Sequence, residues 1–426
     1  MSSAELTSKM IKRKRMLNLV FATATLLVLG LIYAWSIFAV PIGKTFGSYG
    51  PYLSQVFQVS MFSFCFAALL GAQIIKKFSA KASIVVAAVL LAIGFSLTAL
   101  FAGLSIWALF IFYGILVGSG CGIGFNAIIT LVNTWFPDRV GFSSGVMMMG
   151  FGISSLVFGS LANVLFGILD WGIVFMLIAM LTFTVMFILA FVVKPAPEDI
   201  GSRLGVERAS AQTKTSFTQQ KFILKTRVFW VFSIWSVFVV ASGLALIGTA
   251  AQGAAVLELD EKIFVGFGAL MVGLVASMNG LSRIVSGVSF DKVGLLPVML
   301  AACVLCFLCM VGLSLSLAFK IGPLYIVAGI LVALAYGSVP VMGASFSRQR
   351  FGSQNFAMNL GIFSCCIAVA ATINIIITAF LGSPAGDNGS LIYGILAFFT
   401  AVAFVGTLVF GKLYKADLAS IDEELS

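Results

Sequence analysis

Arg283 stands in the stretch Met278-Asn279-Gly280-Leu281-Ser282-Arg283-Ile284-Val285-Ser286-Gly287, within an apolar run from Ile263 to Phe290. A guanidinium cannot neutralise itself in a protein, so this run carries a permanent cation. The next charges, Asp291 and Lys292, are eight and nine residues further on. On a helix that distance is about 12 Å, which sets Arg283 near the middle of a bilayer core about 30 Å thick. A charge at that depth faces a protein interior or a watery cavity. Its planar fork of donors matches a carboxylate in a bidentate pair. Asn279 lies four residues earlier on the same helix face, where it donates a further hydrogen bond or positions the guanidinium. Two readings follow: internal carbonyls or an acid reaching in from a loop satisfy Arg283, or it binds an anion. No Asp or Glu lies in any predicted span, which favours the anion, and a single fixed cation favours a monoanion.

The remaining chemistry is sparse. There are no histidines, no carboxylate pair within the apolar runs, and no serine, lysine or cysteine with a visible activating partner. That argues against an enzyme and calls for no cofactor or metal. The seven cysteines (65, 121, 303, 306, 309, 365 and 366) all fall in apolar runs. Cys303, Cys306 and Cys309 share a helix face in the manner of cluster ligands, but thiolates in hydrocarbon need a compensating cation. They are read as small packing residues, with no disulfide framework implied. The run Gly118-x-Gly120-x-Gly122-x-Gly124 holds two overlapping Gly-x-x-x-Gly pairs, which let helices approach closely. It is no phosphate loop, since no strand precedes it and no lysine follows.

The elements that must position these residues are membrane helices. Hydrophobic residues make up 61% of the chain and charged residues 9%, with a mean hydropathy of +1.14; a soluble domain carries about 25% charged residues. The apolar runs are continuous, not alternating, which selects helices over a barrel. Twelve spans are predicted, at 17–42, 53–75, 82–103, 106–133, 141–167, 171–193, 228–256, 263–289, 295–318, 322–346, 356–381 and 391–411. The first follows Lys12-Arg13-Lys14-Arg15 and is too long for a cleavable signal core, so it is a retained span. The expected organisation is a basic tail (1–16), a six-helix bundle (17–193), a polar central loop (194–227), a second six-helix bundle (228–411) and a tail (412–426).

With the N-terminus inside, twenty-one of the 25 Lys and Arg fall on the cytoplasmic side. Lys44, Lys262 and Lys320 fall outside, and Arg283 is left within the membrane. This bias puts both termini in the cytoplasm and accounts for the net charge of +10 without a nucleic-acid partner. The lack of a targeting segment fits a prokaryotic inner membrane.

An internal repeat is visible. Gly287-Val-Ser-Phe-Asp291-Lys292-Val-Gly294 after span 8 matches Gly71-Ala-Gln-Ile-Ile75-Lys76-Lys77-Phe78 after span 2, with the acid and second glycine lost in the first copy. Trp135-Phe136-Pro137 after span 4 corresponds to Arg350-Phe351-Gly352 after span 10. Two six-span halves in parallel orientation imply a carrier with its site between them. A channel or receptor would not require the repeat. A cation exporter would want an acid in its spans, and a sugar carrier would leave Arg283 without a purpose.

These residues resemble the major facilitator superfamily, whose signature loop is similar to Gly287-x-x-x-Asp291-Lys292-x-Gly294. Three stretches resemble its oxalate:formate antiporter and monocarboxylate transporter branch. They are Tyr33-Ala34-Trp35-Ser36-Ile37-Phe38, Trp135-Phe136-Pro137-Asp138-Arg139-x-Gly141-x-x-x-Gly145, and Asn279-Gly280-x-x-Arg283-x-x-x-Gly287. The resemblance implies an all-α membrane protein of twelve transmembrane helices in two pseudo-symmetric bundles. It further implies an alternating-access carrier of a small monocarboxylate, the lactate, pyruvate and formate class, with Arg283 holding the carboxylate. The alternatives are oxalate/formate-type exchange and carriage of another small organic anion.

Departures from the family narrow this. Oxalate antiporters carry a lysine in span 11, where this chain reads Ser364-Cys365-Cys366-Ile367-Ala368. Proton-coupled monocarboxylate transporters have an aspartate where Asn279 stands and a lysine where Ile37 stands. The second counter-charge for a dianion and the familiar proton acceptor are therefore both missing. Whether a proton or a counter-anion is the coupling partner stays open. Tyr33 and Trp35 face a central cavity if the repeat logic holds, or pack like most membrane aromatics. Phe125 occupies a place where the family often has tyrosine. Tyr336, Phe363, Cys366 and Met148 are further wall candidates for an apolar substrate tail. The family uses loop charges as latches, which assigns that role to Asp291, Asp138 and Arg139, with ordinary interfacial charge as the bland reading. Asp260, beside Glu258 and Glu261, is a candidate proton acceptor at the outer ends of spans 7 and 8.

Overall fold

Long apolar runs in lipid satisfy their backbone hydrogen bonds internally, and a helix does so within one segment. The computed structural model describes residues 3–45, 50–197, 199–204, 223–247, 249–263, 267–352, 355–382 and 386–425. Among these residues every regular element is a helix, and twelve helices are long and apolar enough to cross a membrane. Spans 1 to 6 are Met10–Ala34, Gln55–Lys77, Ala80–Phe101, Ile106–Asn133, Val140–Phe166 and Trp171–Val192. Spans 7 to 12 are Arg227–Ile247, Leu270–Val293, Leu295–Ala318, Gly322–Phe351, Phe356–Leu381 and Gly389–Tyr414.

Local sequence explains where helices begin and end. Ser79 accepts from the Ala82 amide at 3.1 Å and Asp170 from the Gly172 amide at 2.8 Å, satisfying donors that a first turn leaves open. Spans 8 and 9 meet at Gly294, whose φ of 81° is a left-handed conformation that favours glycine. No glycine or proline interrupts residues 3–16 or 412–425. The helix that opens the chain therefore starts at Ser3, and the last one runs from Gly389 to Leu425.

Among the described residues, four of the predicted spans depart from a single regular α-helix. The run read as span 1 passes from helix Ser3–Leu29 into a 3₁₀ turn, Gly30–Ala34, and on into helix Trp35–Thr45. Spans 4 and 5 each contain a π-helical stretch, Leu109–Val117 and Ser155–Gly159. Such insertions re-aim side chains within a helix. The predicted seventh span is broken at Thr249, with a second short helix from Ala250 to Val256.

The chain divides into two compact units, 1–212 with 352–365, and 213–351 with 366–426. In the first, span 2 packs on span 4, and span 3 on spans 4 and 6. In the second, span 8 packs on span 10, and span 9 on spans 10 and 12. The pairings agree once six is added to each number, so the repeat read from the loops extends to the packing.

Small residues permit the closest approaches. A Cβ on Gly118 would lie 2.5 Å from the Ser60 carbonyl oxygen, and one on Gly122 would strike the Phe64 carbonyl. One on Gly120 would lie 2.8 Å from Leu91 Cγ, and one on Gly124 2.8 Å from Met186 Cε and 3.3 Å from Ala87 Cβ. The alternating glycines thus serve two faces, 118 and 122 against span 2, and 120 and 124 against span 3, with span 6 also closing on 124.

Candidate functional site

Span 8 separates its faces sharply around Arg283. Leu281 and Val285 are exposed on the side that lipid would wet, whereas Asn279, Ser282, Arg283 and Ser286 are buried. At 100° per residue those four positions form one stripe of polar side chains. Arg283 is only 3% exposed, about 15 Å from the nearer end of its span. Asn279, one turn before it, is 8% exposed.

Span 10 anchors this turn. The Ser282 hydroxyl donates to the Leu334 carbonyl, while the Ser286 hydroxyl donates to the Ser282 carbonyl of its own helix at 2.6 Å. Gly337 sits directly against Asn279 and Ser282. Its neighbour Tyr336 packs its ring against Gly243 of span 7, where an added Cβ would lie 2.7 Å from Tyr336 Cδ2. Cys366, on span 11, is buried in the same unit.

In the first unit, Tyr33 and Phe125 join one aromatic cluster. The Tyr33 ring, half-buried on the 3₁₀ turn, lies 5.2 Å edge-on from Phe151 and 6.4 Å from Phe57. Phe125 lies 4.9 Å from Phe151 and 5.4 Å from Phe64. Sequence reasoning missed Phe57, Phe64 and Phe151; the signal for the first two was their spacing of seven, which returns to one helix face. Met148 is fully buried in this unit, as is most of Phe363. Trp35 is held within the first unit: its indole N–H donates to the Leu53 carbonyl at 2.7 Å and its ring lies tilted against Tyr113, centroids 4.2 Å apart.

A second missed residue is Asn126. Its side-chain nitrogen donates to the carbonyls of Ala68 at 2.8 Å and Ala357 at 2.7 Å, and its oxygen accepts from the Thr130 hydroxyl at 3.2 Å. Cys65 makes a parallel tie to the Ser364 carbonyl at 3.3 Å. Together they bind the first turns of span 11 to spans 2 and 4.

The charged loop after span 4 is also tied down. Asp138 pairs with Arg15, the last member of the basic run, and lies 3.9 Å from Arg139. The Arg15 guanidinium sits 4.5 Å above the Phe136 ring, and the Trp135 indole donates to the Lys194 carbonyl at 2.8 Å. Asp291 is exposed at the end of span 8. Glu258 pairs with Lys262 at 3.1 Å, and that hydrogen bond and charge hold its carboxyl below its ordinary value. The Asp260 side chain lies outside the described residues.

Known proteins share this arrangement. The family model described as Major Facilitator Superfamily matches residues 20–373. An uncharacterised MFS-type transporter, YhjX, of Escherichia coli (strain K12) is 24% identical over 355 residues, covering 82% of this chain and 84% of that one. The oxalate:formate antiporter of Oxalobacter formigenes is 23% identical over 384 residues, covering 88% and 87%. Among solved structures, the proton:xylose symporter XylE bound to 6-bromo-6-deoxy-D-glucose superposes with a TM-score of 0.70 at 15% identity, covering 95% of this chain and 96% of that one. A variant of the E. coli fucose:proton symporter FucP gives 0.60 at 16%, covering 93% and 99%. Twelve spans, a repeated packing scheme and a family match over most of the chain lead to one conclusion: the chain belongs to the Major Facilitator Superfamily and is a membrane transporter.

Proposed function

We propose that this transporter carries a small monocarboxylate, of the lactate, pyruvate and formate class, by alternating access, with Arg283 holding the carboxylate. The observation that carries the reading is the burial of a permanent cation deep within span 8, on a stripe shared with Asn279. Arginine offers two parallel donors to a carboxylate, and Asn279 adds a donor one turn away. The sequence likeness to an oxalate:formate antiporter supports an organic anion as cargo. The charge bias favours cytoplasmic termini.

The test is uptake of labelled lactate, pyruvate and formate into vesicles containing the purified protein. Two charge-assisted hydrogen bonds contribute about 3 kcal/mol or more, so Arg283→Ala should lower carboxylate affinity by about a hundredfold or more. Arg283→Lys keeps the charge, loses the fork and should also fail to support uptake. Full transport by the inserted alanine variant overturns the reading.

The likeness to the oxalate:formate antiporter favours a second reading, exchange of oxalate for formate. Oxalate needs two counter-charges, and the corresponding segment of span 11, 364–368, supplies none. Saturable oxalate uptake at the affinity of formate would favour the second reading over the first.

A further inference from the structure

We infer that Gly337 of span 10 is a positioning residue for the anion site, holding the Asn279 amide so that its donor side, not its acceptor side, is presented beside Arg283. The inference rests on the proposed role of Arg283 and adds to it a residue that neither charge nor polarity would pick out.

The contact is between one turn of span 10 and the turn of span 8 that precedes Arg283. A Cβ built on Gly337 would collide with the Asn279 backbone carbonyl, lie 2.7 Å from Asn279 Oδ1 and lie 2.9 Å from Ser282 Cβ. The first of these atoms is rigid. In a helix the carbonyl of residue 279 accepts from the backbone N–H of residue 283, so Gly337 rests on the hydrogen bond that fixes Arg283 in its turn. Three residues earlier in span 10, the Leu334 carbonyl accepts from the Ser282 hydroxyl. Steric contact at 337 and a hydrogen bond at 334 therefore lock the same two turns together from independent sides.

The Asn279 amide is oriented by that lock. Its oxygen is buried and has no hydrogen-bond partner among the described residues, and it faces the bare Cα of Gly337. A close Cα–H···O approach of this kind needs a residue without a side chain. The amide nitrogen, on the opposite arm of the same carbon, is consequently directed away from span 10. An anion requires donors, and an asparagine flipped by 180° would offer it an oxygen. The glycine thus selects the polarity of the site.

The experiment compares three variants in the same vesicles, read with whichever of labelled lactate, pyruvate or formate gives the fastest wild-type uptake. Gly337→Ala must push the two turns apart, and the expected result is a rise of about tenfold in apparent KM with Vmax and inserted amount held within about twofold. Ser282→Ala adds no atoms and deletes only the tie to Leu334; an approximately threefold rise in KM is expected. Gly273→Ala, on the same span where an added Cβ meets open space, should leave KM and Vmax unchanged. A general packing defect would lower inserted amount or Vmax and spare KM. Unchanged KM in Gly337→Ala overturns the inference. Should that variant fail to insert, Ser282→Ala decides, and unchanged KM there overturns it equally. If Arg283→Ala abolishes uptake while both of these variants behave as wild type, the anion site stands and the positioning role falls. If Arg283→Ala transports normally, both fall together.

Discussion

Asn279→Asp would set a carboxylate one helical turn from Arg283, where it pairs with the guanidinium and competes with an incoming anion. Uptake by this variant, measured as initial rate in vesicles at neutral pH and corrected for inserted amount, should therefore fall by about tenfold or more relative to wild type. A variant as active as wild type would mean that position 279 does not touch the anion site. Tyr33 and Trp35 make the same point about residue-scale reading. They are two residues apart in one motif, yet Trp35 spends its N–H on Leu53 while Tyr33 joins the aromatic cluster.

Among the elements, the first turns of span 11 are tied to the first unit's helices by the Asn126 amide and the Cys65 thiol. Asn126 is fully buried and donates its side-chain nitrogen to two carbonyls, those of Ala68 and Ala357. Asn126→Leu keeps the volume and removes both bonds; each carbonyl lies within a helix and keeps its backbone donor, so the cost is about 0.5–1.5 kcal/mol for each bond lost. The expected outcome is a lower Tm for the purified variant and faster proteolysis or labelling within residues 355–365. A variant as stable as wild type, with that segment equally protected, would show the tie to be incidental. The glycines of span 4 are the complementary case, because there the helices are joined by missing side chains rather than by a polar group.

At the scale of the whole molecule, the pairing of spans 2 with 4 recurs as that of spans 8 with 10, so the two units share one packing scheme. Moving a monoanion alone works against the membrane potential by about 2.3 kcal/mol per 100 mV. With asparagine in place of an acid at 279, exchange of one anion for another avoids that cost without a proton. Preloading vesicles with unlabelled carboxylate should therefore accelerate uptake of labelled carboxylate severalfold, and imposing a potential should change the exchange rate little. Uptake indifferent to internal carboxylate but driven by an inward proton gradient would establish symport instead.

The sequence alone determined the solvent of this protein, the number of its spans, and the one cation that topology does not explain. These are local properties: a run of some twenty apolar residues must become a helix in lipid whatever surrounds it, and a buried arginine stays charged whatever it meets. Span edges were less legible, since the helices at Ser3 and Leu425 run through stretches that composition reads as tails. Partners were not legible at all. That Asp138 meets Arg15, that Asn126 reaches residue 357, and that Gly337 adjoins Asn279 depend on which helix faces meet across long separations in the chain. A one-residue step turns a helical side chain by 100°, so neighbours in sequence serve different interfaces. The tertiary structure made those choices, and with them it decided how the surroundings of Arg283 are held.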